Sequence, residues 1–325
     1  MRKVLVVGGA GYIGGSLTDQ LIEQGYDVRV YDFLLYEHRY LKKVDFIRGD
    51  IRDIATLKPH LDWADTVVWL AALVGDGACS LDEQLTRDIN VETVRSLVKN
   101  FNRQIIIMST CSVYGAQDGL LNEEVTPNPL SLYAVTKYEA EQIVGATGGT
   151  CFRLGTLFGL GDQFSRIRLD LVLNLLTLKA CLYGQISVFG GEQYRPLLHV
   201  RDVGTAITQV IGKNYGGVYN LHYDNLKISA LADRIADFYP GVKVEKTEIK
   251  FQDARNYSVD SSKARNTFGF APALDIDVGI REVGDLVKEG RIRDPNDVQY
   301  SNFDYLRPVL VPAKSPLGGE IVIWR

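Results

Sequence analysis

Tyr133 and Lys137, in the stretch "YAVTK", stand four residues apart. On a helix that spacing projects both side chains from one face, about 5–6 Å apart. A tyrosine with a pKa near 10 is a poor base at neutral pH, but an adjacent ammonium and the positive ring of a bound oxidant such as an oxidised nicotinamide both favour the phenolate. Upstream, "IIIMSTCSVYG" carries Ser109, Thr110 and Ser112 where an apolar run ends. The C-terminal ends of strands are where open α/β sheets keep their sites. Thr110 can therefore hold an alcohol oxygen in line while Tyr133 takes its proton. Hydride must then leave the same carbon, which calls for a bound oxidant.

The N-terminal stretch "VLVVGGAGYIGGSLTDQLIEQGYDVRVYD" supplies a place for one. Gly8, Gly11 and Gly14, with Tyr12 and Ile13 between them, follow an apolar run and open a helical pattern, and Asp32 closes the next strand. Glycines let the backbone approach a pyrophosphate at a helix N-terminus, where free N–H groups and the helix dipole favour anions. Asp32 can accept hydrogen bonds from an adenosine ribose and repels a 2′-phosphate, which favours NAD over NADP. Arg39 is the feature that would favour NADP, if it turned toward the ribose.

These residues need a scaffold. Apolar β-rich runs recur at "KVLVV", "DVRVYD", "VDFIRGD", "TVVWLAA", "QIIIMST" and "TCFRLGT", mostly separated by helix-compatible segments. That alternation predicts a doubly wound parallel sheet, the Rossmann fold, covered on both faces. With 46% hydrophobic residues in 325, the chain can bury one large core with a smaller appended lobe. A net charge of −4 without a basic block argues against nucleic acid or an anionic membrane as partner. No apolar run reaches the roughly 18 residues of a membrane span and no signal peptide is evident, so a cytoplasmic protein is expected. The four cysteines are too dispersed for a metal site or a disulfide framework, and no histidine has metal spacing. His199 and Asn90 read as structural residues, the latter fixing a loop.

The glycine loop, Asp32, "GDIRD", "LAA", "STCSVYG" and "YAVTK" together resemble the extended short-chain dehydrogenase/reductase family, in its sugar-nucleotide epimerase and dehydratase branch. The resemblance covers nearly the whole chain. It implies Thr110, Tyr133 and Lys137 as the catalytic triad, Asp50 and Ile51 as adenine contacts, and Leu70, Ala71 and Ala72 as the strand end lining the cofactor. It also implies Arg195 in "FGGEQYRPLLHVRDV" and Arg255 in "DARNYSVDSSKARNTFGFAP" as grips for a nucleotide diphosphate, whose oxygens match a guanidinium fork. Thr156 stands where related epimerases carry an asparagine facing the sugar diphosphate. "FGLGDQFSRIRLDLVLN" looks like a subgroup that includes GDP-heptose 4-dehydrogenases, implying Arg166, Arg168 and Asn174 in the substrate lobe. Relatives pair through two helices, here about 81–101 and 130–146, which implies a homodimer.

Departures narrow the reaction. The Asp-Glu pair that dehydratases carry after the catalytic threonine is Cys111-Ser112 here, which argues against a 4,6-dehydratase. Residues 1–155 and 193–222 are expected to form the NAD-binding domain, and 156–192 and 223–325 the nucleotide-sugar lobe. The expected activity is NAD-dependent oxidoreduction at C4 of a nucleotide-diphosphate sugar, with 4-epimerisation through a transient 4-keto sugar placed first. A net 4-dehydrogenase or 4-ketoreductase is the alternative, and a non-catalytic NAD-binding regulatory protein the second.

Overall fold

The computed structural model of the chain describes residues 1–247 and 256–311. Its strands run β1 (Lys3–Val7), β2 (Asp27–Asp32), β3 (Asp45–Arg48), β4 (Thr66–Trp69), β5 (Gln104–Thr110), β6 (Leu120–Leu121) and β7 (Thr150–Leu154). They continue with β8 (Thr156–Phe158), β9 (Gln185–Phe189), β10 (Tyr194–His199), β11 (Gly217–Leu221), β12 (Asp224–Lys227), β13 (Lys243–Thr247) and β14 (Ser258–Val259).

Seven strands form a parallel sheet in the order β11-β7-β5-β4-β1-β2-β3. Both faces are covered, and the alternation along β1 shows how. Val4 and Val6 join a cluster with Leu17, Leu21, Val203 and Ile207, whereas Leu5 and Val7 join one with Leu57, Leu61, Val94 and Leu97. Each such buried aliphatic side chain contributes about 1.5–3 kcal/mol relative to exposure. The chain runs outward from β1 to β3 and then returns to β4 on the other side of β1. This reversal opens a crevice at the C-terminal ends of β1 and β4, the place where a doubly wound sheet binds its ligand.

The smaller lobe holds a three-stranded sheet, β12-β10-β8, and the pair β13-β9. Helices Val172–Tyr183, Ile228–Phe238 and Ile276–Lys288 close its core around Phe158, Leu173, Ile186, Leu197, Leu231 and Ile280. Of the segment 193–222, helix Val200–Val210 and β11 join the layers of the large sheet. β10 does not. It pairs parallel to β8 and antiparallel to β12, so "RPLLHV", which reads as one more parallel strand, belongs to the small sheet. Buried His199 at its end accepts from Arg201 N through Nδ1 and meets Glu282 through Nε2 at 2.9 Å, a structural role.

Candidate active site

The loop after β1 is shaped by contact. Gly8 has φ +84°, and a Cβ there would lie 2.5 Å from Ala71 N, so the glycine loop and the end of β4 press together backbone to backbone. A Cβ on Gly14 would collide with the Gly9 carbonyl, which lets helix Tyr12–Glu23 start directly under the loop. No acidic residue occupies the first turn of this helix, leaving its N-terminus favourable to an anion. At the end of β2, Asp32 accepts from Ala10 N at 3.0 Å and Leu34 N at 2.7 Å. Burial raises its pKa against those two bonds. Leu34 takes φ +59°, unusual for a branched side chain, and the Asp32 carboxylate holds it there.

Thr110, Tyr133 and Lys137 line one cavity across the crevice. Ser131 caps helix Leu132–Gly145 by accepting from Ala134 N, and its hydroxyl also donates to Asp76 at 2.6 Å, which ties the helix start to the turn after β4. Tyr133 and Lys137 follow on this helix, and Thr110 at the end of β5 lines the same cavity. Lys137 donates from Nζ to Met108 O at 2.8 Å. Burial lowers the Lys137 pKa to about 8, against the opposing influence of Cys79 and Glu141. Burial pushes the Tyr133 pKa upward, and the groups opposing that are the Thr110 hydroxyl and Arg168, whereas Cys79 and Asp76 add to the rise.

A cavity of about 850 Å³ joins these parts. Its wall includes Gly8, Gly11, Tyr12, Ile13, Asp32, Asp50, Ile51, Leu70, Ala71 and Ala72 on one side, and Thr110, Tyr133 and Lys137 at the centre. Thr156, Arg166, Arg168 and Arg195 line its far side. Gly14 lies below the loop, within the helix. The backbone-lined cradle at Gly8 and Gly11, the buried Asp32 and the unopposed helix N-terminus fit a dinucleotide.

Residues 4–222 match the model of the NAD dependent epimerase/dehydratase family. The chain belongs to this family. A UDP-glucose 4-epimerase of Lactobacillus helveticus is 29% identical over 310 residues, 83% of this chain and 92% of the relative. A dTDP-glucose 4,6-dehydratase of Mycobacterium tuberculosis is 26% identical over 331 residues, 92% of this chain and 98% of the relative. Among solved structures, MoeE5 in complex with UDP-glucose and NAD superposes with a TM-score of 0.76 at 26% identity, covering 89% of this chain and all but 1% of its own. The protein is thus an NAD-dependent enzyme of the sugar-nucleotide epimerase/dehydratase branch, with NAD as its cofactor. Among the described residues no helix is long and apolar enough to cross a membrane and no side-chain group suits a metal ion.

The substrate-lobe candidates of this family member divide. Arg195 is 7% exposed in β10, lines the cavity and donates to Tyr194 O at 2.9 Å. Arg168 forms a bidentate pair with Asp170 at 2.8–2.9 Å. Arg166 lies 3.5 Å over the Tyr36 ring and donates to Asn302 and to Gln299 O. The structure does not bring Asn174 to the cavity wall. It is fully buried, accepts from Gly159 N and donates to Arg168 O, holding the segment that carries the arginines. Arg255 lies outside the described residues. Asn90 fixes the loop after β4, accepting from Leu73 N at 2.8 Å and donating to Leu73 O.

Three of the cavity residues that sequence reasoning missed show what the fold supplies. Asp170, two positions after Arg168, had a signal in its charge and spacing. Tyr257, whose hydroxyl lies 3.2 Å from Ser112 Oγ, and Asn302 come from distant segments with no local motif.

Proposed function

We propose that the enzyme epimerises C4 of a nucleotide-diphosphate sugar through a transient 4-keto sugar. The observation that carries this reading is the convergence of Thr110, Tyr133 and Lys137 in the cavity of the glycine loop, without the acid pair of a dehydratase beside them. Cys111 is fully buried and points its thiol at Arg153 O, and burial pushes its pKa upward, so it offers no acid or base. Ser112 Oγ lies 3.2 Å from the Tyr257 hydroxyl.

NAD, when bound, supplies hydride transfer at C4. The chain's own residues do the rest. Thr110 orients the sugar hydroxyl, Tyr133 takes its proton as the 4-keto sugar forms and returns it when the alcohol is restored, and Lys137 keeps a cation buried beside them. Arg195 and Thr156 bind the diphosphate end, with Arg166 and Arg168 at the wall between the lobes. Epimerisation requires the ketone to present its other face before reduction, and the 850 Å³ cavity gives it room. The relative from L. helveticus, named for the same reaction on UDP-glucose, supports this reading over a net dehydrogenase.

We also propose a cytoplasmic homodimer, paired through the helices at 81–101 and 130–146, where Val135, Tyr138 and Ile143 remain only half-buried. The test of the reaction is to incubate the enzyme with UDP-, GDP- and dTDP-hexoses and analyse the products. A C4 epimer without accumulating NADH supports the proposal. A ketosugar formed together with NADH makes the enzyme a dehydrogenase.

A further inference from the structure

The helix Asn302–Leu310 carries no sequence motif, yet it lines the same cavity as the glycine loop and bridges the loop after β4 and the segment of Arg166 and Asp170. Its footing is specific. Asn302, 4% exposed, donates from Nδ2 to Val74 O at 2.8 Å, accepts from Arg166, and donates from its backbone N to Asp170 at 3.0 Å. Just before it, Tyr300 O accepts from Leu169 N and Gln299 O accepts from Arg166. Leu306 is buried in one apolar cluster with Leu73, Ala78 and Cys79, which Leu35, Tyr36, Tyr133 and Leu310 flank. The Tyr305 ring lies 4.9 Å from that of Tyr36.

Tyr36 follows β2, whereas Val74 and Ala78 follow β4, and β1 lies between β2 and β4 in the sheet. A segment anchored on both loops therefore spans the end of β1, where the glycine loop sits. Ser301, Asn302, Phe303, Leu306, Val309 and Leu310 line the same cavity as that loop. A dinucleotide along the ends of β1, β2 and β4 would lie against it.

We infer that residues 298–310 form a strap that completes the NAD site, with Asn302 and Leu306 as cofactor-retaining residues, so that NAD leaves only when the strap lifts from Val74 and Ala78. Lifting breaks the hydrogen bonds of a buried amide and exposes Leu306, which slows release without any direct need for tighter contacts to NAD. The inference stands apart from the choice between epimerase and dehydrogenase, since it concerns how the cofactor is held.

The full-length chain provides the test. A Cβ built on Gly77 would lie 3.7 Å from the Cβ of Phe303, within the span of a disulfide. The pair Gly77→Cys and Phe303→Cys can pin the strap shut. NAD release is timed by rapid gel filtration of the NAD-loaded protein, with bound nucleotide quantified by chromatography. The oxidised pair is expected to release NAD about tenfold more slowly than the same protein reduced with dithiothreitol, a change equivalent to about 1.4 kcal/mol. Independently, Asn302→Ala is expected to speed release about tenfold in a chain whose thermal unfolding remains cooperative, because one buried hydrogen-bond set is lost. Equal release rates in oxidised and reduced forms, or a wild-type release rate in Asn302→Ala, overturn the strap.

Discussion

Lys137 Nζ donates to the carbonyl of Met108 at 2.8 Å, two residues before Thr110 on the same strand. That bond fixes the ammonium at the rear of the cavity, one helical turn behind Tyr133. The residues proposed to handle the proton are thus held by two rigid elements, β5 and helix Leu132–Gly145, instead of by loops.

Removing the phenol hydroxyl tests its role. Tyr133→Phe keeps the ring in its apolar cluster but deletes the group proposed to exchange the proton. Turnover is expected to fall by roughly 10²–10⁴-fold while NAD binding stays near wild type. Steady-state kinetics and NAD titration of the same preparation measure both, and an unchanged rate would remove Tyr133 from the mechanism.

Lys137 makes stability pH-dependent in a predictable direction. Burial holds its pKa at about 8, below the ordinary 10.5. Between these values the unfolded chain binds more protons at this site than the folded one, so the site's contribution to stability rises with pH across that window. Below about pH 8 the cost of the buried charge is present in full. Urea unfolding at pH 8 and pH 10 is expected to show a gain for wild type relative to Lys137→Met, and parallel pH profiles would contradict the buried-ammonium account.

Behind the triad, Arg153 and Glu141 form a buried ion pair at 2.7–3.2 Å, with Tyr114 accepting from Arg153 and Ser109 donating to Glu141. Glu141→Ala leaves a buried guanidinium without its counter-ion and is expected to cost about 3–5 kcal/mol of stability, read from urea unfolding. A loss below about 1 kcal/mol would mean that water or another acceptor reaches Arg153.

The cofactor side offers a different handle. Asp32→Asn keeps the shape but removes the charge that faces the adenosine ribose in this reading. NAD affinity is expected to drop by about tenfold to a hundredfold, with discrimination against NADP shrinking. Parallel loss of both cofactors, with discrimination intact, would assign Asp32 only to holding Ala10 and Leu34.

What the sequence made visible was local. The glycine spacing, the acid at the end of β2 and the Tyr-Lys pair each sit within one strand-helix unit, so spacing alone predicts their geometry. β10 shows where this stops: "RPLLHV" has the composition of a buried parallel strand, but nothing local says which sheet it joins. The raised pKa of Tyr133 shows it again. The burial that raises it comes from Leu73, Ala78 and Leu306, residues distant in sequence. Asn302 is the extreme case, because its role depends on the chain returning over 228 residues to Val74.

The most direct test of the central claim is the fate of the hydrogen at C4. Nucleotide sugars of the UDP, GDP and dTDP series carrying deuterium at C4 are incubated with the enzyme and NAD in ordinary water, and the products are analysed by mass spectrometry and NMR. The account predicts a C4 epimer that retains deuterium at C4, with no lasting NADH. A ketosugar that has lost the label to accumulating reduced cofactor, or no turnover of any nucleotide sugar, would contradict it.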